Sequence, residues 1–366
     1  MILTSRNIAY YLLERRFITP ESLVDGDFVV VDTSRRNRNF KVIRKRDPGY
    51  FIKQVQQWEP QAIATLQREA MCYWLSGNDP NFAPLAPLLP KYYGFDPDRH
   101  ILITELLPDA ENLSEYQRRL GVFPVEVGSQ LGKILGTYHR TIPARLENSS
   151  QQSVFPGQPP WILSVHHLSG HPTAPMSAAN SQLLGVVQKY PEFQRPLDEL
   201  RAQWRTNSLI HGDMKWDNCM MYAGNDKNDE LEIKIVDWEL SDFGDACWDV
   251  GAIFQAYLVF WITSFQGTAD VAPERLVETA QYPLEQMQPA IRAFWSTYVD
   301  TLQVDGKAAE ELLERSMKYG AARMIQTAYE HMYYSPQITA SALYLLQVSW
   351  NILESPKEAI SYLLGI

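Results

Sequence analysis

The sequence predicts an α+β chain in two unequal lobes, a small antiparallel β lobe followed by a larger, mainly helical one. Short β-branched and aromatic runs broken by turn signals fill Asp27 to Leu106. From residue 107 to Ile366, apolar residues recur mostly at helical spacing. The exception is one β-rich stretch, Ser208 to Leu240, which holds a cluster of acidic and amide residues. With 366 residues, 45% hydrophobic and 21% charged, the chain can bury a large core, and wholesale disorder is excluded. The expected division is 1–106 for the β lobe with its leading helix and 107–366 for the helical lobe.

Thr4 to Phe17 reads as an amphipathic helix with Ile8, Tyr11, Leu12 and Leu13 on one side. Three strands follow, Phe28–Val31, Phe40–Arg44 and Tyr50–Val55, with the turn Asp47-Pro48-Gly49 before the third. Pro60 suits the first turn of a helix that carries Ile63, Leu66, Ala70 and Tyr73 and ends near Gly77. Two more strands, Lys91–Phe95 and His100–Leu106, flank Asp96-Pro97-Asp98-Arg99. Val127, Leu131, Ile134, Leu135 and Tyr138 then mark a helix. Residues 143–177, rich in Pro, Ser and His, read as a long loop before helices resume near Ala178.

A net charge of −10 and a pI near 5.3 argue against nonspecific nucleic-acid binding. Cys72, Cys219 and Cys247 lie far apart without CxxC spacing, so neither a disulfide framework nor a cysteine zinc site is expected. Charges at Arg6, Glu14, Arg15 and Arg16 interrupt the pattern of a secretory signal. Val250–Phe265 is too short for a confident membrane span and reads as a buried core helix. The expectation is a cytoplasmic chain without membrane or nucleic-acid partners.

The chemistry concentrates in residues 208–251, SLIHGDMKWDNCMMYAGNDKNDELEIKIVDWELSDFGDACWDVG. Phosphoryl transfer from ATP needs one carboxylate to orient a hydroxyl and take its proton, and two oxygen ligands to hold Mg2+. Asp213 and Asn218, five residues apart, let one loop supply the base and a ligand. Asp237, at the end of the apolar strand Ile233–Val236, supplies the second ligand. This string, HGDxxxxN, then Asp-Trp-Glu, then Gly-Asp-x-x-Trp-Asp, resembles the aminoglycoside phosphotransferase and choline kinase superfamily, distant relatives of protein kinases. The resemblance is strong over 211–251 and weaker elsewhere. It implies a protein-kinase-like two-lobed fold, an alcohol-directed phosphotransferase, and ATP with Mg2+ as cofactors. The β lobe would then bind nucleotide and the helical lobe would carry the catalytic loop and the acceptor site.

The same resemblance asks for a strand lysine on the nucleotide phosphates and a helix glutamate to position it. Lys53 and Glu69 fill those places, and Glu59, beside Pro60, is the rival. Glu105 and Leu107, in the strap between the lobes, would meet the adenine edge through main-chain groups. The loop Thr33–Asn39 lacks the glycines of protein kinases, so Ser34 and Arg35 become candidates for the nucleotide phosphates. From Arg35 to Lys53 there are eight basic residues and one acid, which reads either as a phosphate or acidic-ligand site or as a solvated charge run. Lys215, two residues after the base, is placed as a catalytic contact to the transferring phosphate, as in Ser/Thr protein kinases.

Other features receive structural readings. His211 packs beneath the loop, Asp249 caps its amides, and Glu239 either backs up the metal or does not. Asp242-Phe243-Gly244 is set aside because Asp237 already stands at the strand end. Gly128–Lys133 imitates a phosphate loop but lies in a periodic helix. His166, His167 and His171 lack a cysteine or a clear carboxylate at metal-ligand spacing, so a loop without metal is expected.

Three acceptor readings stay open. Asp217, Glu239, Asp242 and Asp245 would suit a cationic amino sugar or amino alcohol. Lys215 and the basic segment would suit a peptide Ser or Thr. In that case the string Ser34–Phe40 resembles the kinase-like enzymes of class V lanthipeptide and thioamitide biosynthesis, which implies a precursor-peptide substrate and a separate lyase-like partner protein. The third reading is a nucleotide-binding pseudokinase scaffold, against which the retention of Asp213, Asn218 and Asp237 argues.

Overall fold

The computed structural model describes the whole chain except Asp27, Arg35 and residues 143–151, 168–175, 224–230 and 267–272. Its described residues form two compact units. One comprises Met1–Leu113, Leu146–Pro156 and Asp217–Ser241; the other comprises Ser114–Arg145, Gly157–Trp216 and Asp242–Ile366. The chain is therefore divided differently from a single cut at 106/107. The hairpin that follows the HGD loop packs with the N-terminal residues, because its strands find their third partner at Glu111–Asn112.

The first unit is built on an antiparallel sheet of β1 (Phe28–Asp32), β2 (Arg38–Arg44), β3 (Tyr50–Gln54), β4 (Tyr92–Asp96) and β5 (Ile101–Glu105), in the order β1-β2-β3-β5-β4. The pleat sorts its residues by parity. Phe40 and Val42 of β2, Tyr50 and Ile52 of β3, and Ile101 and Ile103 of β5 share one face. There they pack on Leu3, Ile8, Tyr11, Leu12 and Ile18 of the N-terminal segment. The intervening residues point the other way, in cross-strand rows Asn39–Lys53–Leu102 and Lys41–Phe51–Thr104. Gly49 permits the β2–β3 hairpin, since a Cβ there would sit 2.6 Å from the Val42 carbonyl oxygen.

A helix over Pro60–Asn78 starts with Pro60 in its first turn and buries Leu66, Glu69, Ala70 and Tyr73. Glu59 is the residue just before that helix. A 3-10 segment, Pro80–Leu88, follows. The second sheet of this unit joins β6 (Glu111–Asn112), β8 (Cys219–Ala223) and β9 (Leu231–Ile235) in the order β6-β8-β9.

In the second unit, β7 (Ser208–Ile210) pairs with β10 (Asp242–Gly244), so Asp242-Phe243-Gly244 is a strand. The helix Ala246–Thr263 is long and apolar enough to cross a membrane by length and composition, but 83% of it is buried. It is the core helix that Val250–Phe265 predicted. The helices Val125–Thr141 and Leu284–Leu302 lie against each other along Gly128, Gly132 and Gly136. A Cβ at Gly128 would lie 2.1 Å from the Ala290 carbonyl oxygen, and one at Gly132 2.3 Å from that of Phe294. The imitation phosphate loop is thus a helix-packing stripe.

Candidate active site

The cleft-facing row of the first sheet lines a cavity of about 260 Å³ within the first unit. Its walls are apolar at Phe51, Tyr73, Leu102, Leu107, Met220 and Val236, and Glu105 and Thr104 stand beside them. Lys53, Glu69, Asn218 and Asp237 line the polar part, with Asn39 and Lys41 from β2. Six of the residues singled out in the sequence therefore meet around one cavity: Lys53, Glu69, Glu105, Leu107, Asn218 and Asp237.

Lys53 organises the polar part. Strand parity turns its side chain away from the sheet core, and the Pro60–Asn78 helix presents Glu69 to it. Lys53 Nζ donates to Glu69 Oε2 at 2.7 Å, and both side chains are nearly inaccessible, at 7% and 5%. It also donates to Asp237 and lies 3.6 Å from Glu239. Burial alone would lower the Lys53 ammonium, but Glu69, Asp237 and Glu239 together hold it above the usual lysine range. Glu69 is pushed up to about 7, chiefly by burial, against the pull of Lys53. Asp237 adopts a left-handed conformation, φ 67° and ψ 50°, which aspartate tolerates better than most residues. The chain thereby leaves β9 into the short turn Trp238–Leu240. Asn218 is anchored through its carbonyl, which accepts from Val236 N at 3.0 Å and extends the hairpin.

Glu239 makes contacts the sequence had not predicted. Arg36 Nη1 donates to its Oε1 at 3.2 Å and Asn37 Nδ2 to its Oε2 at 3.3 Å. The β1–β2 loop is thus tied to the Asp-Trp-Glu turn through Arg36 and Asn37. Ser34 is exposed, accepts from Asn39 N at 3.1 Å, and is not among the residues lining the cavity. Arg35 lies outside the described residues.

The second unit holds Asp213 and Lys215. Asp249, fully buried, accepts from His211 N at 2.7 Å, from Gly212 N at 3.0 Å and from Tyr138 Oη at 2.7 Å. One carboxylate thus grips consecutive amides of the His-Gly-Asp loop, as the sequence suggested. Burial would raise the Asp213 carboxyl, but Lys215 and Arg323 outweigh it and bring it down to about 2. Lys215 Nζ lies 2.7 Å from Asp213 Oδ2 and Arg323 Nη2 3.3 Å from Oδ1. Arg323 also donates to the Gly212 carbonyl at 3.1 Å and stacks on Trp248 at 4.9 Å.

Arg323 was not found by sequence reasoning. The available signal was an arginine beside the apolar positions Gly320 and Met324 of the helix Gly306–His331, since a buried arginine requires a carboxylate. The acids proposed to greet a cationic acceptor are mostly engaged elsewhere. Asp242 accepts from Gly157 N at 2.8 Å, Asp245 is fully buried against Arg315, and Asp217 is exposed.

No family model matches the chain, and no curated protein matches it in sequence. Solved structures do match. The chain is similar to a choline kinase from Cryptosporidium parvum with a TM-score of 0.55 at 15% identity, over 97% of this chain and 96% of that one. It is similar to the aminoglycoside phosphotransferase APH(2")-IIa in a ternary complex with streptomycin and ATP, with a TM-score of 0.50 at 11% identity, over 94% and 99%. LicA in complex with AMP matches with a TM-score of 0.50 at 16% identity, over 96% and 98%. At these identities the likeness establishes the fold: the chain shares the kinase-like α+β architecture of these proteins.

Proposed function

We propose that this chain transfers the γ-phosphoryl group of ATP to a hydroxyl of a small molecule. The observation that carries the proposal is the Lys53–Glu69 pair set in one cavity with Asp237 and Asn218. A planar base suits the apolar part between Phe51, Leu102 and Val236, and the phosphates suit the end held by Lys53. The Glu105 amide already donates to the Lys91 carbonyl at 2.8 Å, so the main-chain part of Glu105 in base recognition falls to its carbonyl. Leu107, which lines the same cavity, is the second main-chain candidate.

Asp237 and Asn218 offer a carboxylate and an amide oxygen, the hard donors that Mg2+ prefers, and Glu239 lies within 4.8 Å of the Asp237–Glu69 pair. Magnesium bound there would neutralise charge on the phosphates. Lys53, held in place by Glu69, binds the phosphates. Asp213 orients the acceptor hydroxyl and receives its proton at a carboxylate oxygen. Because Asp213 is a weak base at about 2, its contribution is mainly positioning, with the proton leaving late in the transfer. Lys215 lies beside the Asp213 carboxylate, where its charge stabilises the transferring group.

Small-molecule kinases with this fold support the acceptor class, the choline kinase and the aminoglycoside phosphotransferase among them. A peptide Ser or Thr, in a pathway with a lyase-like partner, is the second reading. It is favoured by the contact of Lys215 with Asp213.

The test incubates the protein with Mg2+ and γ-labelled ATP. One pool of acceptors contains amino sugars and amino alcohols, the other Ser/Thr peptides, and Asp213→Ala is the control. Label in the first pool, reduced at least 100-fold by Asp213→Ala with nucleotide binding retained, is the expected result. Label only on peptide replaces the acceptor class. Full activity in Asp213→Ala refutes the assignment of the base. ATP binding without transfer to either pool replaces the enzyme by a scaffold.

A further inference from the structure

Among the described residues, a second group of potential metal ligands converges outside that cavity. The 3-10 segment Trp161–His167 ends in two adjacent histidines, and the helix Pro191–Ala202 carries Asp198 toward both. His166 Nε2 lies 3.0 Å and His167 Nε2 2.7 Å from the same oxygen, Asp198 Oδ1. The three ligand atoms lie within 4.8 Å of one another. The carboxylate absent from the local sequence around the histidines is supplied from 31 residues further on in the chain.

We propose that His166, His167 and Asp198 form a binding site for a borderline divalent cation of the zinc class, separate from the magnesium chemistry proposed above. Two imidazole nitrogens and one carboxylate oxygen are the donor set that Zn2+ favours, with a position left for water. Bonds of about 2.0–2.1 Å in a tetrahedron place ligand atoms about 3.3 Å apart, so the 2.7 and 3.0 Å contacts need to open by roughly 0.5 Å.

The His166 side chain is 1% exposed and thus already ordered. Burial lowers its affinity for protons, which favours the neutral ring that a metal requires. His167 and Asp198 are half exposed, which gives a cation a route in. Binding at each Nε2 leaves the single proton of the neutral ring on Nδ1, and ties the Trp161–His167 segment to the Pro191–Ala202 helix.

One feature sets the strength. His166 Nδ1 is buried and has no hydrogen-bond partner among the described residues. A metal-bound His166 would carry an unsatisfied N–H there, and lost second-shell support of this kind costs about 10–100-fold in affinity. Binding about 10–100-fold weaker than at a fully supported site with the same three ligands is therefore expected.

The full chain, stripped by chelator, would be titrated with Zn2+ by calorimetry and with Co2+ by visible absorption. Expected are one equivalent of Zn2+ and a d–d spectrum of four- or five-coordinate Co2+. His167→Ala and Asp198→Asn alter exposed groups, so both should keep the wild-type circular dichroism, and each should weaken binding at least 10-fold. His331→Ala, at another exposed histidine, should leave it unchanged. Equal binding in wild type, His167→Ala and Asp198→Asn would mean an adventitious ion only and overturn the site, as would no saturable binding in the wild type. No readout depends on phosphotransfer, so failure here leaves the proposed function standing.

Discussion

Asp213 is held between two cations, and its behaviour with pH follows from that. Its carboxyl stands at about 2 because Lys215 and Arg323 outweigh burial. In the proposed transfer the ionised form receives the hydroxyl proton, so from neutral pH down to the ordinary carboxylate range Asp213 should impose no acid limb on turnover. The linkage has the matching sign. A depressed pKa contributes stability that is fully present above the unfolded carboxylate value and is lost as pH falls toward 2. Arg323→Gln removes one of the two cations while burial still pushes the carboxyl up. Its acid limb should therefore move to higher pH, with kcat falling more than nucleotide affinity. A kcat profile superimposable on wild type from neutral pH down through the ordinary carboxylate range would show that Arg323 does not tune Asp213. Lys53, Glu69, Asn218 and Asp237, which line one cavity, were reached from a short loop string and the family resemblance it carries. Arg323 was not, because its partner lies 110 residues away and nothing near residue 323 announces a carboxylate.

At the scale of elements, the strongest local imitation in the sequence proved to be packing. Gly128–Lys133 imitates a distorted phosphate loop, yet Gly128, Gly132 and Gly136 recur every four residues along one face of a helix. They let the backbone of Leu284–Leu302 approach to where a Cβ would otherwise be. Gly132→Ala should therefore destabilise the protein by about 1–3 kcal/mol despite alanine's better helix propensity. Gly185→Ala is the contrast, since a Cβ there meets nothing within 4 Å. In the helix Ala178–Lys189 it should be neutral or stabilising by up to about 1 kcal/mol. Urea denaturation of both variants checks this, and equal effects would refute the packing account. The five strands of the first sheet were readable because β-branched runs and Asp-Pro-Gly punctuation are local signals. The pairing of Asp242-Phe243-Gly244 with Ser208–Ile210 was not, because a three-residue strand has no periodicity of its own.

For the whole molecule, the chain returns twice to its first unit, and the cavity there depends on the second return. Asp217–Ser241 supplies Asn218, Met220, Val236 and Asp237 to a cavity whose other walls come from residues 39–110. A fragment ending at Leu113 also lacks the hairpin that pairs with Glu111–Asn112. Such a fragment should show no saturable binding of an ATP analogue and no cooperative melt, whereas the full chain should bind and gain thermal stability on binding. Wild-type-like nucleotide affinity in the fragment would make the N-terminal residues self-sufficient. The sequence by itself determined the α+β class, the order of most elements and most of the cleft's charged residues, because strand parity, helical spacing and a short loop string are written within a few residues of one another. Only the tertiary structure decided that Arg323 holds Asp213, that His166 and His167 share a carboxylate, and that the 217–241 hairpin belongs with the first sheet. Those outcomes rest on contacts between residues tens to hundreds of positions apart, set by how buried charges and unpaired strand edges find partners.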